Sequence, residues 1–153
     1  MNIDLGFQID IPNVFIPWGI TESELKKLLG SVLRHVTAGY YTITCESLGG
    51  MKHELGFHFE PRKNGKLNEL EFFRRSYGDQ VASYKEFQTH FEAVFGNPSR
   101  TQKGNEGFLL DQWNFEKTTI VHYVFDRFGS EEHMRIKHIY RPVMSECEFT
   151  MEY

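Results

Sequence analysis

His53-Glu54-Leu55-Gly56-Phe57-His58-Phe59-Glu60 alternates: Leu55, Phe57 and Phe59 fall on one side, Glu54, His58 and Glu60 on the other. A period of two marks a half-buried strand. Upstream, Leu48-Gly49-Gly50 reads as a turn, and Tyr40-Tyr41-Thr42-Ile43-Thr44-Cys45 as the strand it returns to. Downstream, Pro61 to Gly65 is a basic turn and Leu67 to Phe73 a third strand. Before this meander stands Thr21-Glu22-Ser23-Glu24, a capping box that opens a helix with Leu25, Leu28 and Leu29 on its apolar side. Gly30 stops it. Phe7 to Ile16, broken by Pro12, reads as an edge strand or extended lead-in, because proline cannot donate to a ladder.

The order then repeats. Tyr84, Phe87, Phe91, Val94 and Phe95 follow helical spacing, and Gly96-Asn97-Pro98 ends that helix. Phe108–Phe115, Thr118–Asp126 and His133–Ile139 read as three strands, the middle one apolar on both faces and so expected inside the sheet. Matching Gly39 to Gly107, Leu55, Phe57 and Phe59 to Val121, Tyr123 and Phe125, and Leu70 to Ile136, gives a nearly constant offset. The expected fold is α+β: two successive α-β-β-β halves, about 16–75 and 80–140, within a single domain spanning 1–153. They would form one mainly antiparallel sheet with two helices on one face, since each meander alone leaves an apolar face uncovered. The tail Ser145–Tyr153 alternates and could add an edge strand.

Composition narrows the function classes. Hydrophobic residues make up 40% and aromatics 15% of 153 residues, ample for a packed core and unlike a disordered chain. Net charge is −4, which argues against unaided nucleic-acid binding and suits a basic partner. No run nears the roughly 18 apolar residues of a membrane helix, and the N-terminus carries no export signal. The expectation is a cytoplasmic protein with Cys45 and Cys147 as free thiols.

Ile16-Pro17-Trp18-Gly19-Ile20-Thr21-Glu22-Ser23-Glu24-Leu25, running on to Leu29-Gly30, resembles the G-x-T-x-x-E-L opening of a small bacterial module. The small outer-membrane assembly lipoproteins and the β-lactamase inhibitory proteins carry it. Phe95-Gly96-Asn97-Pro98 is similar to the module's F-G-x-P, and Gln112-Trp113-Asn114-Phe115 to its W-x-F strand. The first half lacks the proline after Gly30, the second lacks the Gly-x-Thr entry, and both families are exported. The resemblance implies a binding scaffold that grips a partner with its sheet, and no enzyme. Small acidic bacterial proteins of this general character also serve as immunity proteins against toxins.

Candidate chemistry is sparse. His53 and His58 are five apart, as are His133 and His138, so each pair should face opposite sides of a strand. A cross-strand metal cluster of His58, His122 and His138 is the variant left open. Cys45 reads as a small buried hydrophobe, and Cys147, between Glu146 and Glu148, as an unreactive thiol. No carboxylate spacing singles out a hydrolytic pair. The expectation is no cofactor and no catalytic or metal site. Binding is expected instead at Asp111, Trp113, Glu131, Glu132, Glu146 and Glu148, acidic groups that steer a basic partner around an aromatic anchor. The leading reading is an immunity protein against a toxin domain, as a monomer or weak homodimer. The alternatives are a chaperone for a secreted effector and a metal- or ligand-binding enzyme using the strand histidines.

Overall fold

The capping box closes as the sequence requires: Thr21 Oγ1 accepts from the Glu24 amide, and Glu24 accepts from the Thr21 amide. Helix α1 runs Glu22–Leu29 and buries Leu25 and Leu29. Gly30 ends it at φ 60°, in the left-handed region that glycine enters without a steric penalty. The computed structural model describes residues 1–74, 79–104, 107–126 and 130–139.

Ahead of α1, Gly6–Ile9 (β1) and Val14–Pro17 (β2) form a two-stranded hairpin of their own. Pro12 sits in its turn, which is why the lead-in splits in two. After α1 come Arg34–Thr37 (β3), Tyr40–Ser47 (β4), Met51–Glu60 (β5) and Lys66–Phe73 (β6). Helix α2, Gln80–Phe95, is capped by the Asp79 carboxylate on the Val81 and Ala82 amides. It is followed by Arg100–Lys103 (β7), Leu109–Asn114 (β8), Thr118–Asp126 (β9) and Ser130–His138 (β10). The eight strands from β3 on form one antiparallel sheet in the order β3-β4-β5-β6-β10-β9-β8-β7. The chain is thus α+β, as expected, but four strands follow each helix. The extra ones, β3 and β7, are short polar edges with no alternation to betray them.

Register decides the faces. Tyr41, Ile43 and Cys45 lie with Phe57, Leu55 and His53; Leu70 and Phe72 lie with Ile136 and Met134; His122 and Ile120 lie with Asp111 and Trp113. All are buried. Leu25 and Leu29 of α1, Phe87 and Phe91 of α2, and Phe7, Ile9 and Ile16 of the hairpin join them in one core. Phe7 and Phe91 both meet the Phe72 ring edge-on. Asp4 ties the N-terminal segment to the far half by accepting from the Lys117 amide and Thr118 Oγ1.

The nearly constant offset between halves does not survive this register. Leu55 and Phe57 point into the core, whereas Val121 and Tyr123 sit opposite Arg135 and His133 on the other face. The same offset equates opposite faces of β5 and β9 but one face of β6 and β10, so it does not map one half onto the other. Leu70 and Ile136 do share a face, but as direct partners across the β6–β10 seam.

Candidate functional site

The face opposite the core carries no described helix or hairpin. Its side chains come from the alternate positions of each strand, and a row of five polar groups crosses its centre. Tyr40 (β4) lies beside His58 (β5), rings stacked with centroids 4.4 Å apart. The Tyr40 ring covers Gly56, where a Cβ would come within 2.8 Å of it, so only glycine lets the ring lie flat on the strand. Tyr40 Oη donates to Glu71 Oε1 at 3.1 Å, and His58 Nε2 contacts the same oxygen at 3.1 Å. Across the seam Arg135 donates to Glu71 Oε2 at 3.1 Å and to Glu69 Oε2. Four strands therefore build one network.

Its electrostatics follow from these contacts. The His58 hydrogen bond, with the Arg135 charge, holds the Glu71 carboxyl below its ordinary range despite burial. Burial and the adjacent Glu71 carboxylate push the Tyr40 phenol well above its usual value, so it stays a donor. Flanking the network, Arg34 pairs with Glu54 at 2.8 Å and Tyr123 stacks on His133 at 5.0 Å. The result is a half-exposed band of tyrosine, histidine and arginine whose rotamers are fixed by mutual contacts.

No protein-family model, curated protein or solved structure matches this chain. What the site can do rests on its own geometry.

Of the expected binding residues, Asp111, Trp113 and Glu132 lie elsewhere. Asp111 is 4% exposed and accepts from Tyr84 Oη and Thr101 Oγ1. Trp113 is 1% exposed, and its indole N–H donates to the Gly96 carbonyl. Glu132 bonds Ser83, Gln80 and the buried His122. These three side chains thus face the core, because their strand parity matches Ile120 and Met134, and this form of the chain does not present them to a partner. The Glu131 side chain, Glu146, Glu148 and Cys147 lie outside the described residues. The proposed metal cluster does not assemble: His58 is on the open face, whereas His122 and His138 share the parity of the core strands. His138 instead stacks on Trp18. Among the described residues, no group of three or more His, Cys, Asp or Glu could hold a metal. No described helix is long and apolar enough to cross a membrane.

One arrangement has the outline of a nucleophile and base. Ser47 Oγ donates to His53 Nε2, and His53 Nδ1 donates to the Glu54 carbonyl at 2.9 Å. Both side chains are buried, and the imidazole packs against Phe72 and Phe87. The pair lies inside the core, with Ser47 0% and His53 4% exposed. Cys45, beside it, has its thiol pushed up to about 12 by burial and by Glu54.

The buried imidazole has a measurable consequence. Burial lowers the His53 pKa to about 4 from the ordinary 6.5, with Arg74 acting the same way. Between those values the unfolded chain binds more protons than the folded one, so stability is complete above pH 6.5 and declines towards pH 4. The contribution is about 3 kcal/mol at most. Urea unfolding at pH 7 and pH 4.5 should show His53→Gln losing less stability on acidification than the native chain; equal losses would refute the assignment.

Proposed function

We propose that this chain is a non-enzymatic protein-binding module that presents the open face of its eight-stranded sheet to one protein partner, in the manner of an immunity protein masking a toxin domain. The observation that carries this reading is the half-exposed Tyr40–His58–Glu71–Arg135 band, over which no described helix or hairpin lies. Tyrosine and arginine are enriched where binding energy concentrates. Side chains already locked by hydrogen bonds lose little freedom on association. The dimensions fit as well. Eight strands span roughly 35 Å across and about 20 Å along, a face of about 700 Å2. A stable interface takes about 800 Å2 from each partner. The helix-then-four-strands order supports an ancestral duplication, with β6 and β10 meeting at its centre, and with it the likeness to tandem inhibitory proteins.

The test starts from the reading frame next to this gene. Its product is expected to arrest growth, and co-expression of this chain to restore it. Titration calorimetry of the purified pair should show Tyr40→Ala and Arg135→Ala each weakening binding by about 2 kcal/mol or more. Lys27→Ala, exposed on α1, should bind as the native chain does. Native affinity in both open-face variants, with their fold intact by circular dichroism, would discard the proposed surface.

A further inference from the structure

At one end of the open face, two turns lock together. Gly39, between β3 and β4, is at φ 70°, and a Cβ there would come within 2.9 Å of the Arg62 backbone. The Gly39 carbonyl accepts from the Phe59 amide at 2.8 Å. Gly65 closes the Pro61–Gly65 turn against the Pro61 carbonyl, where no Cβ fits. Beside this rigid corner, Asn68 is the extra residue of a bulge, since Phe59 pairs with Leu67 but His58 pairs with Glu69. A bulge re-aims side chains at a strand end.

Two grooves meet there, of about 360 and 510 Å3. They share Glu60, Asn68 and Lys137. Pro61 and Ile139 supply apolar lining to the larger one, and Ile139 is 45% exposed. The cations are Arg62, Lys66 and Lys137, and none forms an ion pair with a described residue. The carboxylates are Glu60 and Glu69, of which Glu69 is already held by Arg135. Glu24, the other carboxylate that feels Lys66, is engaged by Thr21 in the capping box.

The whole chain is acidic, but its charges are unevenly placed, and several carboxylates are already held inside the fold. Arg34 takes Glu54, Arg74 takes Glu86, His122 contacts Glu132, and Arg135 takes Glu69 and Glu71. Among the described residues, this corner sets three unpaired cations, Arg62, Lys66 and Lys137, against one unpaired carboxylate, Glu60.

We propose that this corner receives an extended acidic segment of a protein partner. Alternate side chains of an extended segment point opposite ways. Its apolar residues seat over Pro61 and Ile139, and its carboxylates reach Arg62, Lys66 and Lys137. This deepens the protein-binding reading and rests on it. It also reverses the charge that the sequence suggested for the partner, at least at this end of the sheet.

The probe is a fluorescein-labelled nonapeptide alternating glutamate and leucine, with a lysine–leucine peptide as control, titrated into the full chain. The expected result is saturable binding of the glutamate peptide at least tenfold tighter than the control, weakening between 50 and 300 mM salt, on the order expected for screened charges. Amide chemical shifts should move at residues 62–67 and 137–139. Lys66→Glu combined with Lys137→Glu should lose at least tenfold in affinity while keeping the native circular dichroism spectrum. Equal binding of the two peptides, no saturation, or shifts confined elsewhere would overturn the proposal. Failure of the broader reading shows differently, as native partner affinity in Tyr40→Ala and Arg135→Ala.

Discussion

Glu132→Ala is expected to cost the fold roughly 3–5 kcal/mol, a large part of what a domain of this size has. The Glu132 carboxylate is 1% exposed, and the His122 side chain it contacts is fully buried. Ser83 Oγ donates to it at 2.7 Å and Gln80 at 3.2 Å, so it pins the first turns of α2 to β10. Removing it leaves His122 Nε2 and the Ser83 hydroxyl without that partner, in a site where Gln88 holds the other imidazole nitrogen at 2.7 Å. Losing one member of a buried pair costs more than the pair itself contributes, because the remaining polar group stays desolvated. Urea unfolding at pH 7 measures it. A loss under about 1 kcal/mol, coupled to loss of partner binding, would return Glu132 to the surface role that its acidic neighbour Glu131 suggested in the sequence.

Trp113→Ala is expected to destabilise by roughly 3–5 kcal/mol, the range for deleting a large buried aromatic. The indole packs against Phe91 with centroids 5.8 Å apart and donates to the Gly96 carbonyl at 2.8 Å, closing the end of α2 onto β8. Trp113→Phe keeps most of the volume but leaves that carbonyl without its donor, and should cost about 1–3 kcal/mol. Thermal unfolding of the two variants would order them alanine below phenylalanine below native. If Trp113→Ala melted within a degree or two of the native chain yet failed to bind the partner, the residue would be an interface anchor after all.

The two substitutions mark where sequence reading stops. Asp111 and Trp113 lie on a strand whose neighbours Leu109 and Leu110 are apolar yet partly or largely exposed, so hydropathy points β8 the wrong way. Glu132 follows another glutamate and looks like a solvated turn. Only pairing with β9 places it opposite Val124, beside His122 on the core side. The edges β3 and β7 were equally hidden, because an edge strand need not alternate. The open-face site left one usable signal: the polar phase of each alternating strand, which holds Tyr40, His58, Glu71 and Arg135. Which of those residues meet could not be read, since Arg135 and Glu69 are 66 positions apart.

What the sequence determined by itself is therefore what neighbouring residues decide: the Thr21–Glu24 cap, the glycine stops at Gly30 and Gly96, the alternation of β5 and the helical spacing of α2. These depend on contacts within one turn or one strand. Tertiary structure alone decided the strand order, the β6–β10 seam, the burial of Asp111 and Glu132, and the neutralisation of Glu69 and Glu71 by Arg135. Register assigns every side chain to a face, and it is set by pairings between distant segments. Which charges remain free to meet a partner depends on which others have already met inside the fold.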